Sequence, residues 1–158
     1  MTKMLVCYYS RSGHTKSMAY RIAEGIRSAG VEVDVRKCTE VEPADLLKYD
    51  GIIFGSPTYY GVCAAEMKSL IDRSIKYHGK LRGKVGGAFA SCGVLGGGCE
   101  TTVAQLLEAC LIHGMIVMGD PDVAHYGPVS IEKPNKKVEK VCIDYGRRLA
   151  ELTKKLRG

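Results

Sequence analysis

The sequence predicts a doubly wound α/β domain: a five-stranded parallel sheet of order 2-1-3-4-5 with helices on both faces. Short apolar runs alternate along the chain with apolar residues at helical spacing, which is typical of βα units. The 158 residues, 46% hydrophobic and 25% charged, are enough for one core and leave little room for a second. No linker or internal repeat interrupts them, so we expect residues 1–158 to form a single domain.

The first half of the chain predicts three strands. Lys3–Tyr9 is an apolar run typical of a buried strand, and Gly51–Ser56 is a second such run. Val31–Arg36 alternates apolar and charged residues, which indicates a strand near a sheet edge. Between the strands Lys3–Tyr9 and Val31–Arg36, apolar residues at helical spacing predict a helix. Pro43–Leu47 is predicted to be a short helix that begins with proline.

The second half predicts two further strands and three helices. Met67–Ile75 and Val103–Leu111 carry apolar residues at helical spacing, and each is followed by a strand, at Val85–Ser91 and Met115–Gly119. Apolar residues at steps of three and four from Val138 to Leu156 predict an amphipathic terminal helix.

The net charge of +6 lies entirely on this last segment. Residues 133–158 hold nine Lys and Arg against three Asp and Glu, whereas residues 1–132 hold fourteen of each. A basic face on one amphipathic helix is more often simply solvated than bound to an acidic partner. We therefore expect no nucleic-acid partner.

The chain predicts a cytoplasmic protein. Its N-terminal apolar run is too short for a signal peptide, and no 18 apolar residues follow one another, so we expect no membrane span. Seven cysteines without a C-x-x-C pair favour reduced, mostly buried thiols over a secreted disulfide framework.

The first candidate site is the loop after strand one, because ligands of doubly wound sheets bind beyond the carboxyl ends of the strands. A glycine and three hydroxyl side chains at a helix start suit a phosphate dianion, which the free N–H groups and the helix dipole attract. The alternative is that Ser12 or Thr15 merely caps the helix. The predicted phosphate contacts are Ser10, Arg11, Ser12, Gly13, His14 and Thr15.

The loops after strands three and four complete the predicted pocket. One carries two aromatic residues that suit a planar ring, although Tyr59 and Tyr60 can also be simple loop anchors. The other is rich in glycine and offers backbone amides. Together with the phosphate loop they predict a site for a phosphorylated flat heterocycle. The predicted contacts are Pro57, Thr58, Tyr59, Tyr60, Gly61, Ser91, Cys92, Gly93, Gly96, Gly97 and Gly98.

Four further side chains have competing interpretations. His113, at the end of the fourth predicted helix, suits an imidazolium that stabilises the negative end of the helix dipole. Cys110 and His113 lack the further ligands of a tetrahedral set, so no metal site is expected. Cys92 and Cys99 flank the glycine-rich loop; redox sensitivity is one reading, but structural or incidental thiols are favoured.

Four motifs along the chain carry a resemblance to a known family: Ser10-x-Ser12-Gly13-x-Thr15, Ser56-Pro57-Thr58-Tyr59-Tyr60-Gly61, Gly96-Gly97-Gly98-Cys99-Glu100-Thr101 and His113-Gly114-Met115. In these motifs the chain resembles the tryptophan repressor-binding protein-like NAD(P)H:quinone oxidoreductases, a branch of the flavodoxin superfamily. The resemblance implies a flavodoxin-like fold that binds flavin mononucleotide (FMN) as a single domain over residues 1–158.

The resemblance also implies an activity and an assembly. NAD(P)H is the implied co-substrate and a quinone the implied acceptor, with His113 as a catalytic contact to cofactor or substrate. The family completes each site with a neighbouring subunit, which implies a homodimer or homotetramer. This chain has no tryptophan where the family has one in the active site, and Tyr77 or His78 falls nearby.

Two functions remain open at the level of sequence. One is two-electron reduction of quinones or similar acceptors, and the other is electron transfer to a protein redox partner without a small-molecule substrate. Carrier flavodoxins are commonly acidic and lack the glycine-rich loop, whereas this chain is basic and has that loop. The reductase is therefore favoured.

Overall fold

The core of the fold is a sheet in which β1 (Lys3–Tyr8) lies between β2 (Glu32–Lys37) and β3 (Gly51–Tyr59). The computed structural model, which describes residues 1–158, continues the sheet through β5 (Val85–Cys92) to β6 (Ile116–Val117), with these neighbours all parallel. The order β2-β1-β3-β5-β6 confirms the predicted order 2-1-3-4-5. The charged strand β2 lies at the edge, as its alternating pattern indicates.

The third strand runs three residues further than predicted. After Ser56 the chain continues in β3 as far as Tyr59 and then returns in β4 (Val62–Cys63), which pairs antiparallel with the end of β3. Much of the segment predicted as a loop after strand three is therefore a hairpin, which holds its side chains more rigidly than a loop would.

The fifth predicted strand, Met115–Gly119, is shorter than predicted. Only Ile116–Val117 pairs with the beginning of β5, and the chain leaves the sheet before it returns as β7 (Val129–Ile131) beside the end of β5. The segment between β6 and β7 contains several glycine and proline residues, which interrupt regular structure. The structure thus has two strands that periodicity did not reveal, the short β4 and β7.

Four α-helices cover the sheet: α1 (His14–Ser28), α2 (Ala65–Arg73), α3 (Cys99–Ile112) and α4 (Lys136–Arg157). The segment predicted as a short helix at Pro43–Leu47 is a 3₁₀ helix over Pro43–Lys48, and further 3₁₀ turns occupy Cys38–Glu40 and Ser74–Tyr77. None of the helices combines the length and apolar character needed to cross a membrane.

The alternation of β1 side chains divides the core into two layers. Met4 and Val6 face α1 and α4, where they pack among buried residues such as Ile22 and Leu149. Leu5, one position away, faces the other layer, which holds buried residues of α2 and α3. Because both faces of the sheet are covered, its functional groups are left at the strand ends.

Candidate functional site

The start of α1 presents backbone N–H groups without a side-chain cap. Gly13 occupies the N-cap position, in a left-handed conformation with φ of 95°, and no side chain caps the helix. Ser10 Oγ accepts a hydrogen bond from the Gly13 N–H, at 3.1 Å, which holds the loop in its turn. The alternative that Ser12 or Thr15 caps the helix is therefore wrong. Uncapped N–H groups and the positive end of the dipole leave an anion-binding helix start.

Thr15 joins the first loop to the end of β5. Its hydroxyl lies 2.8 Å from the hydroxyl of Ser91, and both side chains are buried. This contact between residues far apart in sequence brings the candidate phosphate loop beside the glycine-rich loop that begins after Cys92.

Thr101 joins the second and third loops. Its hydroxyl lies 2.7 Å from the carbonyl oxygen of Gly61 and 2.8 Å from that of Gly98. Gly98 has φ of 96°, and a Cβ there would lie 3.1 Å from the Cα of Gly61. The two backbones can approach so closely only because position 98 has no side chain.

The hairpin after β3 exposes an aromatic ring. Tyr59 pairs with Val62, and the two residues between them, Tyr60 and Gly61, have φ of 51° and 81°. Positive φ at both central positions is the geometry of a type I′ turn. It leaves the Tyr60 side chain fully exposed while Tyr59 is half-buried. Only Tyr59 faces the cavity that the three loops enclose.

That cavity has a volume of ≈ 290 Å³ at the carboxyl ends of β1, β3 and β5. Most of the predicted contacts border it, whereas Ser10 and Gly13 shape the first loop and Tyr60, Gly61 and Gly96–Gly98 lie outside its lining. The lining residues are Arg11, Ser12, His14, Thr15, Pro57, Thr58, Tyr59, Ser91, Cys92, Gly93 and Glu132.

Glu132 is the lining residue that sequence reasoning missed. It follows β7, a strand that was not predicted, and its N–H donates to the carbonyl oxygen of Cys92 at 2.7 Å. Nothing in its local sequence distinguishes it, since only the pairing of β7 with β5 brings it to the cavity.

His113 lies away from this cavity. It follows directly on α3, whose 14 residues separate it from the glycine-rich loop at the other end of the helix. A rise of 1.5 Å per residue makes that separation about 20 Å. The side chain therefore does not contact a ligand bound in the cavity of its own chain.

A second cavity, of ≈ 580 Å³, surrounds His113 and includes His78 in its lining. The Nε2 atom of His113 lies 2.7 Å from Ser74 Oγ, whereas its Nδ1 atom is buried without a partner. Ser74 Oγ already donates to the carbonyl oxygen of Ile71, so the geometry assigns the imidazole proton to Nε2.

The charge state of His113 differs from the one that helix capping requires. Burial, together with the nearby His78, lowers the pKa of His113 below its usual value. The favoured species is thus a neutral imidazole bound to Ser74, and not an imidazolium on the carbonyl groups of α3. No three His, Cys, Asp or Glu side chains are grouped to hold a metal ion.

Cys92 and Cys99 form a disulfide in the structure. The expectation that these two residues are structural or incidental thiols is therefore wrong, while the other five cysteines are free and buried as predicted. Seven positions separate the pair in sequence, which hides their proximity. The glycine-rich loop turns back on itself through the hydrogen bond from Gly97 N–H to Val94 O, so its two ends meet.

Residues 5–111 of the chain match the flavodoxin domain family. The chain is 39% identical over 155 residues to an NAD(P)H dehydrogenase (quinone) of Sinorhizobium fredii, a match that covers 84% of this chain and 77% of the relative. It is 33% identical over 190 residues to a protein of the same name from Archaeoglobus fulgidus, with 99% of this chain and all of the relative covered.

A similar solved structure is that of a flavodoxin from the domain Archaea. It superposes on 97% of this chain and 99% of its own with a TM-score of 0.81, at 32% sequence identity. The likeness therefore extends over the whole fold, including the carboxyl ends of the strands.

Proposed function

The chain belongs to the flavodoxin domain family, and from this premise we propose that it binds FMN and catalyses two-electron reduction of a quinone or similar acceptor by NAD(P)H. The observation that carries the proposal is the uncapped start of α1 beside the cavity of the three loops. Two relatives named NAD(P)H dehydrogenase (quinone) support this activity.

The phosphate of FMN is held by the start of α1. The N–H groups of its first turn supply hydrogen bonds, and the exposed Ser12 hydroxyl and Arg11 guanidinium are available beside them. Ser10 and Thr15 act by shaping the loop and joining it to β5, because both hydroxyls already make contacts within the protein. A dianion suits these donors, since the residues that line the cavity include only one carboxylate, that of Glu132.

The flat ring of FMN occupies the space beside Tyr59 and Gly93, where the glycine-rich loop borders the cavity. When bound, FMN supplies the redox chemistry, by taking two electrons from the nicotinamide and passing them to the acceptor. The protein contributes position: Thr101 holds the loops of Gly61 and Gly98 together, and Gly98 lets their backbones approach. The fully exposed Tyr60 bounds the side open to substrates.

His113 serves the reaction through a neighbouring subunit. It is about 20 Å from the loops of its own chain, as α3 spans that distance, so a contact with FMN requires a second copy. The surface beside it supports such an assembly, because the exposed Ile75 and Ile112 border the cavity that His113 and His78 line. The proposed unit is a homodimer or homotetramer, and its compartment is the cytoplasm, where the buried thiols stay reduced.

A carrier function is the second candidate. Leu95 and Tyr60 are exposed at the edge of the site, where a protein redox partner would approach, and the likeness to an archaeal flavodoxin fits this reading. A carrier needs access only to the edge of the ring, whereas a reductase needs space above it for each substrate in turn.

Anaerobic reduction tests the choice. We expect NADH or NADPH to bleach the flavin absorbance of the purified protein and benzoquinone to restore it. His113→Ala should slow this turnover more than it weakens FMN binding, and His125→Ala, at an exposed histidine, is the matched control. If neither nucleotide reduces the flavin while a chemical reductant does so in one-electron steps, the carrier function replaces the reductase.

A further inference from the structure

Cys92 and Cys99 bracket the glycine-rich loop, which borders the proposed flavin site through Gly93. Cys92 is the last residue of β5 and Cys99 the first of α3, and the loop Gly93–Gly98 lies between them. Their Cα atoms are 5.7 Å apart, within the range that a disulfide spans. The backbone thus keeps the two side chains within bonding reach.

The other five cysteines are poor candidates for redox chemistry. All are buried, no two of them form a disulfide, and burial raises the pKa of each thiol, so that the reactive thiolate is scarce. The pKa of Cys38 is about 11 and those of Cys110 and Cys142 about 12, while Cys7 and Cys63 also lie above their usual value.

The surroundings of the pair differ in two respects. Cys92 is half-buried and lines the cavity, so small molecules that enter the site reach its sulfur. Cys99 is buried like the other five, but it is the first residue of α3, whose N-cap is Gly98 without a side-chain hydrogen bond. The helix dipole and the uncapped N–H groups stabilise a thiolate at that position.

We propose that Cys92 and Cys99 are a reversible dithiol–disulfide couple whose oxidised form fixes the loop Gly93–Gly98 in the conformation that receives the flavin ring. Intracellular disulfides are usually transient and redox-sensing, which agrees with a reversible bond. The couple itself requires no FMN and thus stands apart from the proposed reductase activity, whereas its effect on affinity rests on that proposal.

The oxidant is a low-molecular-weight disulfide such as oxidised glutathione. The thiolate of Cys92 attacks one sulfur of this disulfide, whose S–S bond breaks and releases one thiolate. The thiolate of Cys99 then attacks the Cys92 sulfur and releases the second. Two cysteine thiols are oxidised and one disulfide is reduced to two thiols, which take up the two protons. A dithiol reductant reverses both steps.

The bond affects flavin binding through the order of the loop. In the oxidised chain both loop ends are fixed, and the Gly97 N–H to Val94 O hydrogen bond, at 3.0 Å, holds the turn between them. In the reduced chain the glycine-rich loop must lose conformational freedom when FMN binds. We therefore expect the oxidised form to bind FMN more tightly, by about tenfold, because its ordering cost is met in advance.

Intact-protein mass spectrometry tests the couple without flavin. Flavin-free chain reduced with dithiothreitol and then treated with oxidised glutathione should lose the mass of two hydrogen atoms, and dithiothreitol should restore it. Cys99→Ser should instead accumulate a mixed disulfide with glutathione on Cys92, and Cys63→Ala should behave as the native sequence does. A native chain that keeps two reactive thiols after this treatment, or stops at the mixed disulfide, overturns the couple.

Fluorescence titration with FMN then tests its effect. A dissociation constant about tenfold lower for the oxidised chain, with no redox dependence in Cys99→Ser, is the expected result. Equal dissociation constants for FMN in both redox states overturn the proposed effect of the disulfide on FMN affinity. A chain that cycles between the two masses but binds no FMN in either state overturns the proposed function and the affinity effect, and leaves the couple itself supported.

Discussion

Single residues at the carboxyl edge of the sheet decide whether three loops form one site. Gly98 lies where the hairpin loop and the glycine-rich loop touch, and its φ of 96° is one that other residues adopt only with strain. Thr101 adds a hydroxyl between the two carbonyl groups that meet there. Neither contact involves a ligand, so both belong to the folding of the site.

Gly98→Ala should destabilise the chain by about 1–2 kcal/mol and weaken FMN binding, since the new Cβ meets the backbone of Gly61 at 3.1 Å and the positive φ is strained. Urea unfolding and FMN titration measure the two effects. For unfolding alone, Gly93→Ala is the matched control, because a Cβ at Gly93 meets nothing within 4 Å and its φ is not positive. Similar losses of stability in both variants would contradict this account of Gly98.

His113 makes stability depend on pH at mildly acidic values. Because its pKa in the folded chain is lowered below the ordinary 6.5, the unfolded chain binds the proton more readily. Stability should therefore fall as pH decreases through 6.5 and towards the lower folded value. Urea midpoints between pH 8 and 5 measure this, and His113→Gln should flatten the dependence. An unchanged slope in that variant would show that other groups are responsible.

At the scale of whole elements, α1 contributes its N-terminus to the site. Because charge-assisted hydrogen bonds are worth about 1.5–3 kcal/mol each, losing the phosphate should cost at least two decades of affinity, so FMN should bind at least a hundredfold more tightly than riboflavin. Ser12→Ala should weaken FMN but not riboflavin, with Ser69→Ala on α2 as the control. Calorimetric titration compares the affinities for FMN and riboflavin. Equal affinity for the two flavins would contradict the assignment of the phosphate site to the start of α1.

The packing of α1 against α4 depends on two glycines. A Cβ at Gly25 would lie 1.9 Å from the carbonyl oxygen of Ile143, and one at Gly146 would lie 2.0 Å from that of Ile22. The two helix backbones are thus in direct contact, which no larger residue permits at these positions.

Gly146→Ala should destabilise the chain by ~1–3 kcal/mol, because the helices must separate, even though alanine favours helix over glycine by about 1 kcal/mol. Glu151→Ala, at an exposed position of α4, gains the same kind of propensity without a clash and should be neutral or slightly stabilising. Chemical denaturation of both variants distinguishes steric contact from propensity. A stabilised Gly146→Ala would mean that the helices are not held this closely.

At the scale of the whole molecule, the proposed assembly is what would bring the two cavities together. The protein should sediment as a dimer or larger species at micromolar concentration, and Ile112→Lys should reduce the association because it puts a charge among the exposed residues beside His113. Leu156→Lys, on the exposed end of α4, is the control. A native chain that sediments only as a 17.2 kDa species with flavin bound would argue against the assembly and the reductase activity together.

The sequence by itself determined the order of strands and helices and the character of the three loops. Each depends on a local pattern. A strand that is buried on both faces of the sheet, such as Gly51–Ser56, is a continuous apolar run, and a helix with one buried face carries apolar residues at steps of three and four. The glycine and hydroxyl residues of the first loop likewise keep the same chemistry whatever the tertiary fold. Periodicity alone does not fix the sheet order, which was predicted because a doubly wound domain of this size favours 2-1-3-4-5.

Only the tertiary structure decided which of these groups meet. Cys92 and Cys99 meet because the loop reverses, Glu132 reaches the cavity because β7 pairs with β5, and His113 is carried away from it by the length of α3. A sequence pattern reports which face of its own element is buried, whereas these positions depend on long-range pairing and on the direction in which an element runs. The free energy of such contacts belongs to two distant segments at once, so neither segment alone encodes it.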